Sequence, residues 1–268
     1  MKIEMFRIGN IPIYSYGLMI AIGLLVALFV GQYRFKKHKL DDEIVFDLIL
    51  ICAVTGFLGA KLLYVIVEFD KFMENPMSVL GSAGFVVYGG IITGVLAGYI
   101  YTRVKKLNFM EIFDCVMPEV ALVQAFGRVG CFMAGCCYGK ETDSFLGVVF
   151  PENSLARAGV KLLPTQLFSA AGDLLIAILL IVLADFVYKN VKKQDSNKFG
   201  HVQGDIGCTY MILYGGGRFL MEFLRDDVRG EVGSLSTSQF ISIFIVALGI
   251  GLIIFNRKRH NIKKAKEQ

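Results

Sequence analysis

Seven stretches of this chain are dominated by apolar residues, and each is bounded by charged, glycine-containing or proline-containing segments. They predict helical spans at 11–33, 44–67, 84–102, 112–134, 166–187, 205–224 and 237–255. Several approach or exceed the ~18–20 residues that a helix needs to cross a bilayer. In lipid every backbone polar group must be satisfied within the chain. That favours helices here, because a barrel would read as shorter, alternating segments. The expected fold is an all-α integral membrane protein with about seven transmembrane helices in a single membrane domain over 1–268. The first span is not expected to be a cleaved signal: it is too long, lacks a small-residue cleavage site and runs into the basic cluster RFKKHK.

Charge adds direction to this pattern. The connections alternate between basic and mixed: RFKKHK (34–39), RVKK (103–106), YKNVKKQDSNK (188–198) and the tail NRKRHNIKKAKEQ (256–268) are basic. Of the 28 Lys and Arg, 17 fall on that side, eight on the other and three inside spans. The positive-inside rule then places the N-terminus outside and the C-terminus inside, as an odd number of spans requires. A mean hydropathy of +0.59 and 55% apolar residues agree with a multi-pass membrane chain. The net charge of +5 lies between the apolar runs, so it reports topology and suggests no nucleic-acid partner. The basic tail is expected to face anionic membrane lipid.

The informative residues are those that do not belong in lipid. In the fourth span, Gln124, Arg128 and Cys131 share one helical face. An arginine stays charged, and burying it in a membrane costs at least ~2.5 kcal/mol, so Arg128 should face protein or a wet cavity. Gly127, Gly130 and Gly135 leave room around it for a helix or a ligand. In the sixth span Tyr214, Arg218, Glu222 and Arg225 form one stripe, with Arg218 and Glu222 spaced to pair. Two arginines converging in one half of the membrane make an anion site, since guanidinium matches phosphate oxygens bidentately. The competing reading is structural: either arginine snorkels to headgroups or pairs with Glu119 or Glu222.

Other features leave alternatives open. Gly90, Gly94 and Gly98 of the third span, with Gly56 and Ala60 of the second, predict tight helix packing. Tyr16 and Tyr88, each beside a glycine, suit an aromatic belt or a polar place in the site. Lys61 has Asp114 or Glu119 as candidate partners, and Thr165 is expected to cap the fifth span. Cys52, Cys115 and Cys208 lie in spans as small hydrophobes. Cys131, Cys136 and Cys137 cluster, but C-x4-C-C fits no common zinc pattern and no His stands near. No metal or other cofactor is expected. A disulfide between Cys136 and Cys137 and plain tight packing are the other readings.

These motifs resemble the phosphatidylglycerol–prolipoprotein diacylglyceryl transferase family. Its fourth-span signature G-R-x-G-N-F-x-N-x-E-x-x-G is matched by Gly127, Arg128, Gly130, Phe132 and Gly139. Its Y-G-x-x-R-F-x-x-E-x-x-R motif is matched by Tyr214, Gly215, Arg218, Phe219, Glu222 and Arg225. YSYGL, PTQLF and LSTSQFISI resemble further family segments in the right order, so the likeness covers nearly the whole chain. The departures make it a cysteine-rich, divergent member. The first signature Asn is Cys131, the second falls at Ala134 or Gly135, the Glu falls at Cys136, and the third-span His is Tyr88.

The resemblance implies transfer of the diacylglyceryl group of phosphatidylglycerol to the lipobox cysteine in the signal peptide of a preprolipoprotein, at the bacterial cytoplasmic membrane. It implies Arg128, Arg218, Glu222 and Tyr88 as catalytic residues. Phosphatidylglycerol would be bound by Arg128, Tyr16, Gly127, Gly130, Tyr214 and Arg225. A paralogue with another acceptor or donor lipid, an anion transporter and a structural membrane protein are the alternatives.

Overall fold

The computed structural model describes residues 3–82, 84–152, 154–191, 202–226 and 230–267. A hairpin, β1 (Glu4–Ile8) and β2 (Ile11–Tyr14), leads into α1 (Ser15–His38). Then come α2 (Glu43–Val67), the short α3 (Phe69–Glu74) and α4 (Pro76–Leu80), α5 (Val87–Val104) and α6 (Phe109–Ala134). The two-residue strands β3 (Val148–Val149) and β4 (Lys161–Leu162) precede α7 (Thr165–Val191) and α8 (Asp205–Glu222). A last small hairpin, β5 (Glu231–Val232) and β6 (Leu235–Ser236), precedes α9 (Thr237–Glu267).

A long helix occupies each predicted segment, with shifted ends. Residues 11–14 form a strand rather than the start of the first helix, because Pro12 sits in the β1–β2 ladder and Gly9 turns the chain at φ 59°. The helix begins at Ser15, whose hydroxyl donates to Ile3 O at 2.8 Å. α8 stops at Glu222, two residues short of the expectation, and α9 runs on into the basic tail. Most of the basic connection expected at 188–198 lies outside the described residues. Among the described residues four helices, α1, α2, α7 and α9, are long and apolar enough to cross a membrane.

The chain divides into two compact units, residues 32–112 and residues 1–31 with 113–268. In the first, α2 and α5 run antiparallel at very close range. A Cβ on Gly90 would meet Gly56 O at 2.7 Å, and one on Gly89 would meet Leu63 Cβ at 2.6 Å. That approach lets Thr93 Oγ1 donate to Thr55 O at 2.8 Å and Cys52 Sγ to Gly94 O at 3.5 Å. Small residues thus permit interhelical hydrogen bonds, as expected for helices in apolar surroundings. At one end Tyr101 donates to Asp47 at 2.7 Å. Lys61 pairs with neither predicted carboxylate. Its ammonium donates to Ser82 O at 2.7 Å and Gly84 O at 3.2 Å, and lies 4.9 Å from the centre of the Phe85 ring.

In the second unit, successive long elements alternate in direction. Asp114 of α6 accepts from Gly204 N at 2.6 Å and Gly207 N at 2.8 Å, closing the start of α8. Negative charge at a helix N-terminus suits both the open N–H groups and the helix dipole. At the same end Cys115 meets Tyr188 of α7 at 3.0 Å, and Arg257 of α9 pairs with Asp205 at 3.2 Å. The core between them is built on Ala121, Leu122, Ala177, Leu180, Ala184, Ile206 and Tyr210.

Replacing Gly89 with valine should lower the unfolding midpoint in detergent, since overpacking costs about 1–3 kcal/mol. Gly17→Ala, where nothing lies within 4 Å, should not lower it. An unchanged midpoint for Gly89→Val would refute the tight α2–α5 seam.

Candidate functional site

The other end of the second unit gathers most of the polar residues singled out above. Tyr16 opens α1, Arg128 and Cys131 lie in the last turns of α6, and Thr165 opens α7. Arg218 and Glu222 close α8, and Ser238 opens α9.

Gly130 makes the first of these contacts. A Cβ there would meet Tyr16 Cα at 3.2 Å, so α1 lies directly on α6 at this point. Gly127, one turn away, has nothing within 4 Å and faces open space. The two glycines therefore differ: Gly130 admits a helix, and Gly127 leaves a gap beside Arg128.

The arginines also differ. Arg218 Nη2 lies 2.9 Å from Glu222 Oε2 and donates to Ser238 Oγ at 2.8 Å. The pair is withdrawn from solvent, with side chains only 11% and 7% exposed. Arg225 Nε lies 3.8 Å from the same Glu222 oxygen. Arg225 is not on the helical stripe. It follows the end of α8, is buried, and bridges Gly139 in the turn after α6. Arg128 pairs with neither Glu119 nor Glu222. Among the described residues its guanidinium forms no hydrogen bond or ion pair, and it lies in the field of Tyr214 and Asp173. Asp173 of α7 is buried and feels the charges of both Arg128 and Arg218. Tyr214 stacks on Tyr210 with ring centres 5.6 Å apart, and Tyr210 donates to Gln124 at 2.8 Å.

The turn after α6 carries the cysteines. Gly135 reverses the chain at φ 72°, and Cys137 follows at φ 64°. Thr165 Oγ1 donates to Cys137 O at 2.9 Å, and Gln166 Nε2 donates to Cys136 O at 2.7 Å. Thr165 is the first residue of α7, so its hydroxyl holds this turn rather than capping its own helix. Lys140 N donates to Leu224 O at 2.9 Å, fastening the turn to the end of α8. All six cysteines are free, which sets aside a Cys136–Cys137 disulfide here. The Sγ atoms of Cys131, Cys136 and Cys137 lie within 4.8 Å of one another. Sulfhydryl donation from Cys131, with the neighbouring Arg225 guanidinium, holds the Cys137 thiol below its usual range.

Tyr16 is exposed and lies in the field of Arg128 and all three cysteines. Tyr88 is exposed in the first turn of α5 and belongs to the other unit. Sequence reasoning missed Asp173, Gln166 and Ser238 as members of the site. Asp173 carried a usable signal, being an ionisable residue inside an apolar span.

The arrangement offers a guanidinium open to a ligand, a second one fixed by a carboxylate, and space beside the first. A phosphate ester fits that donor set. Comparison with known proteins gives this chemistry a context. The family model described as prolipoprotein diacylglyceryl transferase matches residues 4–255. A phosphatidylglycerol–prolipoprotein diacylglyceryl transferase of Clostridium tetani is 41% identical over 97% of this chain and 98% of its own. A second, from Clostridium perfringens, is 42% identical over 96% of both chains. One from Finegoldia magna is 34% identical over 95% of both.

Because Glu222 faces two arginines, Glu222→Gln should destabilise more than Arg218→Gln. Its cost should approach the ~3–5 kcal/mol typical of breaking a buried pair. The double variant should recover part of the loss, read from unfolding of the purified protein. The reverse ranking of the single variants would refute the shared-carboxylate arrangement.

Proposed function

The chain belongs to the prolipoprotein diacylglyceryl transferase family, and from that premise we propose that it lipidates preprolipoproteins with phosphatidylglycerol as donor. The acceptor is the thiol of the lipobox cysteine. Its sulfur attacks the glyceryl carbon, the bond from that carbon to the phosphate oxygen breaks, and the thiol proton is lost. The products are a thioether-linked diacylglyceryl protein and glycerol phosphate. This is the first step of bacterial lipoprotein maturation.

One observation carries the assignment of roles: Arg128 is open to a ligand, whereas Arg218 is committed to Glu222 and Ser238. Arg128 meets the donor phosphate and stabilises charge as the ester bond breaks. Arg218, aligned by Glu222, contributes a second fixed positive charge. Gly127 leaves room for the headgroup, and Gly130 brings Tyr16 to its edge. Tyr214 and Arg225 are assigned to donor binding with them. Tyr88 enters through the family signature, at the position where that signature carries histidine.

The topology belongs to this reading. The chain spans the bacterial cytoplasmic membrane seven times, with its N-terminus outside. The alternating helix directions support it, as does the basic residue Arg257 at the end opposite the arginine cluster. The site then opens toward the outer leaflet, on the side where secreted lipoprotein precursors emerge.

Purified protein given phosphatidylglycerol and a lipobox peptide should add a diacylglyceryl mass to the peptide. Arg128→Gln should slow the reaction by roughly 100–1,000-fold, the usual effect of removing one donor to developing charge. Tyr88→Phe tests the role taken from the signature, and a rate within about twofold of the parent would remove Tyr88 from catalysis. Absence of any adduct with this and other phospholipids would refute the transferase reading.

A further inference from the structure

We infer that Cys131, Cys136 and Cys137 form a three-sulfur binding site for one thiophilic cation of the Zn2+ and Cd2+ class. This inference does not rest on the transferase reading.

Geometry is the first support. The three Sγ atoms lie within 4.8 Å of one another. A cation bound at a zinc–sulfur distance of about 2.3 Å needs its sulfurs about 4 Å apart, so only a small contraction is required. The spacing C-x4-C-C hides this convergence. Cys131 sits in the last turn of α6, and Gly135 in the left-handed region folds the next residues back over the helix end. Cys136 Sγ already points to Cys131 O at 3.7 Å.

The second support is that the turn is held from outside. Thr165 fixes the Cys137 carbonyl and Gln166 that of Cys136, while Gly139 and Lys140 are tied to Leu163 and Leu224. Three sulfurs on a fastened turn lose little entropy on capturing a cation. Charge balance is the third support. Bound thiolates carry more negative charge than a divalent cation neutralises, and Arg225 adjoins Cys137.

The donor set selects the ligand. Thiolates favour soft and borderline cations and disfavour Mg2+ or Ca2+, which take oxygen ligands. Three protein donors leave a tetrahedral cation one further position, as in open rather than closed sites. The cation displaces thiol protons to solvent as it binds.

The test uses the full-length protein, reduced and in detergent, titrated with Cd2+. One equivalent should give a sulfur-to-metal charge-transfer band, and Mg2+ should give none. Cys131→Ser, Cys136→Ser and Cys137→Ser should each weaken Cd2+ binding by more than the roughly 10–100-fold typical of losing an outer-shell partner. Cys208→Ser should leave it unchanged. Because a variant can fail to fold, the unmutated protein supplies a second readout. Cd2+ should block alkylation of Cys136 and Cys137 and leave that of Cys52 in α2 unaffected, as read by peptide mass. No band, a band that survives the cluster substitutions, or unprotected Cys136 and Cys137 would each overturn the site.

Discussion

A guanidinium cannot shed its charge, and the second unit is organised around three of them. In an apolar setting each must find a carboxylate, a wet space or a ligand. Glu222 serves Arg218 and Arg225 together, and Ser238 takes a further donor of Arg218. That leaves the charge of Arg128 with no direct protein acceptor among the described residues, in the field of Tyr214, Cys131, Asp173 and Cys137. Left so, it is a standing cost that an anionic ligand offsets. The neighbouring gap at Gly127 is where such a ligand has room.

This arrangement works only if α6 and α8 keep their axial register, because one bears Arg128 and the other Arg218. Both ends are pinned. At one, the Asp114 carboxylate takes two backbone N–H groups at the start of α8. At the other, Lys140 N bonds Leu224 O and Gly139 bridges Arg225. A slip of one turn would leave the Asp114 carboxylate and several backbone groups unsatisfied together, and low-dielectric surroundings make that expensive. α7 adds the third clamp through Thr165 and Gln166, and its Asp173 lies about two turns further along the same helix. The positions of the charges are therefore set by hydrogen bonds remote from the charges themselves.

Apolar runs made the helices legible because length and hydropathy are local properties of the chain. The arginine stripe was legible for the same reason: Arg218 and Glu222 are one turn apart on one helix. What escaped was set by partners distant in sequence. Thr165 reads as a cap from its neighbours, yet its hydroxyl answers to Cys137, 28 residues away. Lys61 reads as half of an ion pair, yet three carbonyl and ring contacts beyond α2 satisfy it. Residues 11–14 are as apolar as a helix start, and only the pairing with β1 makes them a strand. Arg225 follows the helical spacing on paper, but α8 ends before it and its place comes from the bridge to Gly139.

The proposed reaction needs a thiolate, and this chain has tyrosine where the family signature carries histidine. The difficulty is smaller than it looks. A free cysteine thiol has a pKa near 8.5, so a few per cent is already thiolate at neutral pH. An opposite charge within ~4–6 Å lowers an acidic group by about 1–3 units. An acceptor thiol brought beside Arg128 would thus ionise largely through the field, and its proton can leave to water at the membrane surface. A phenol near pKa 10 is a poor base, but none is required for that step. In the proposed reaction the ionising field would come from the same guanidinium that meets the phosphate, so losing Arg128 would remove donor binding and acceptor activation together. Losing Tyr88 would remove neither.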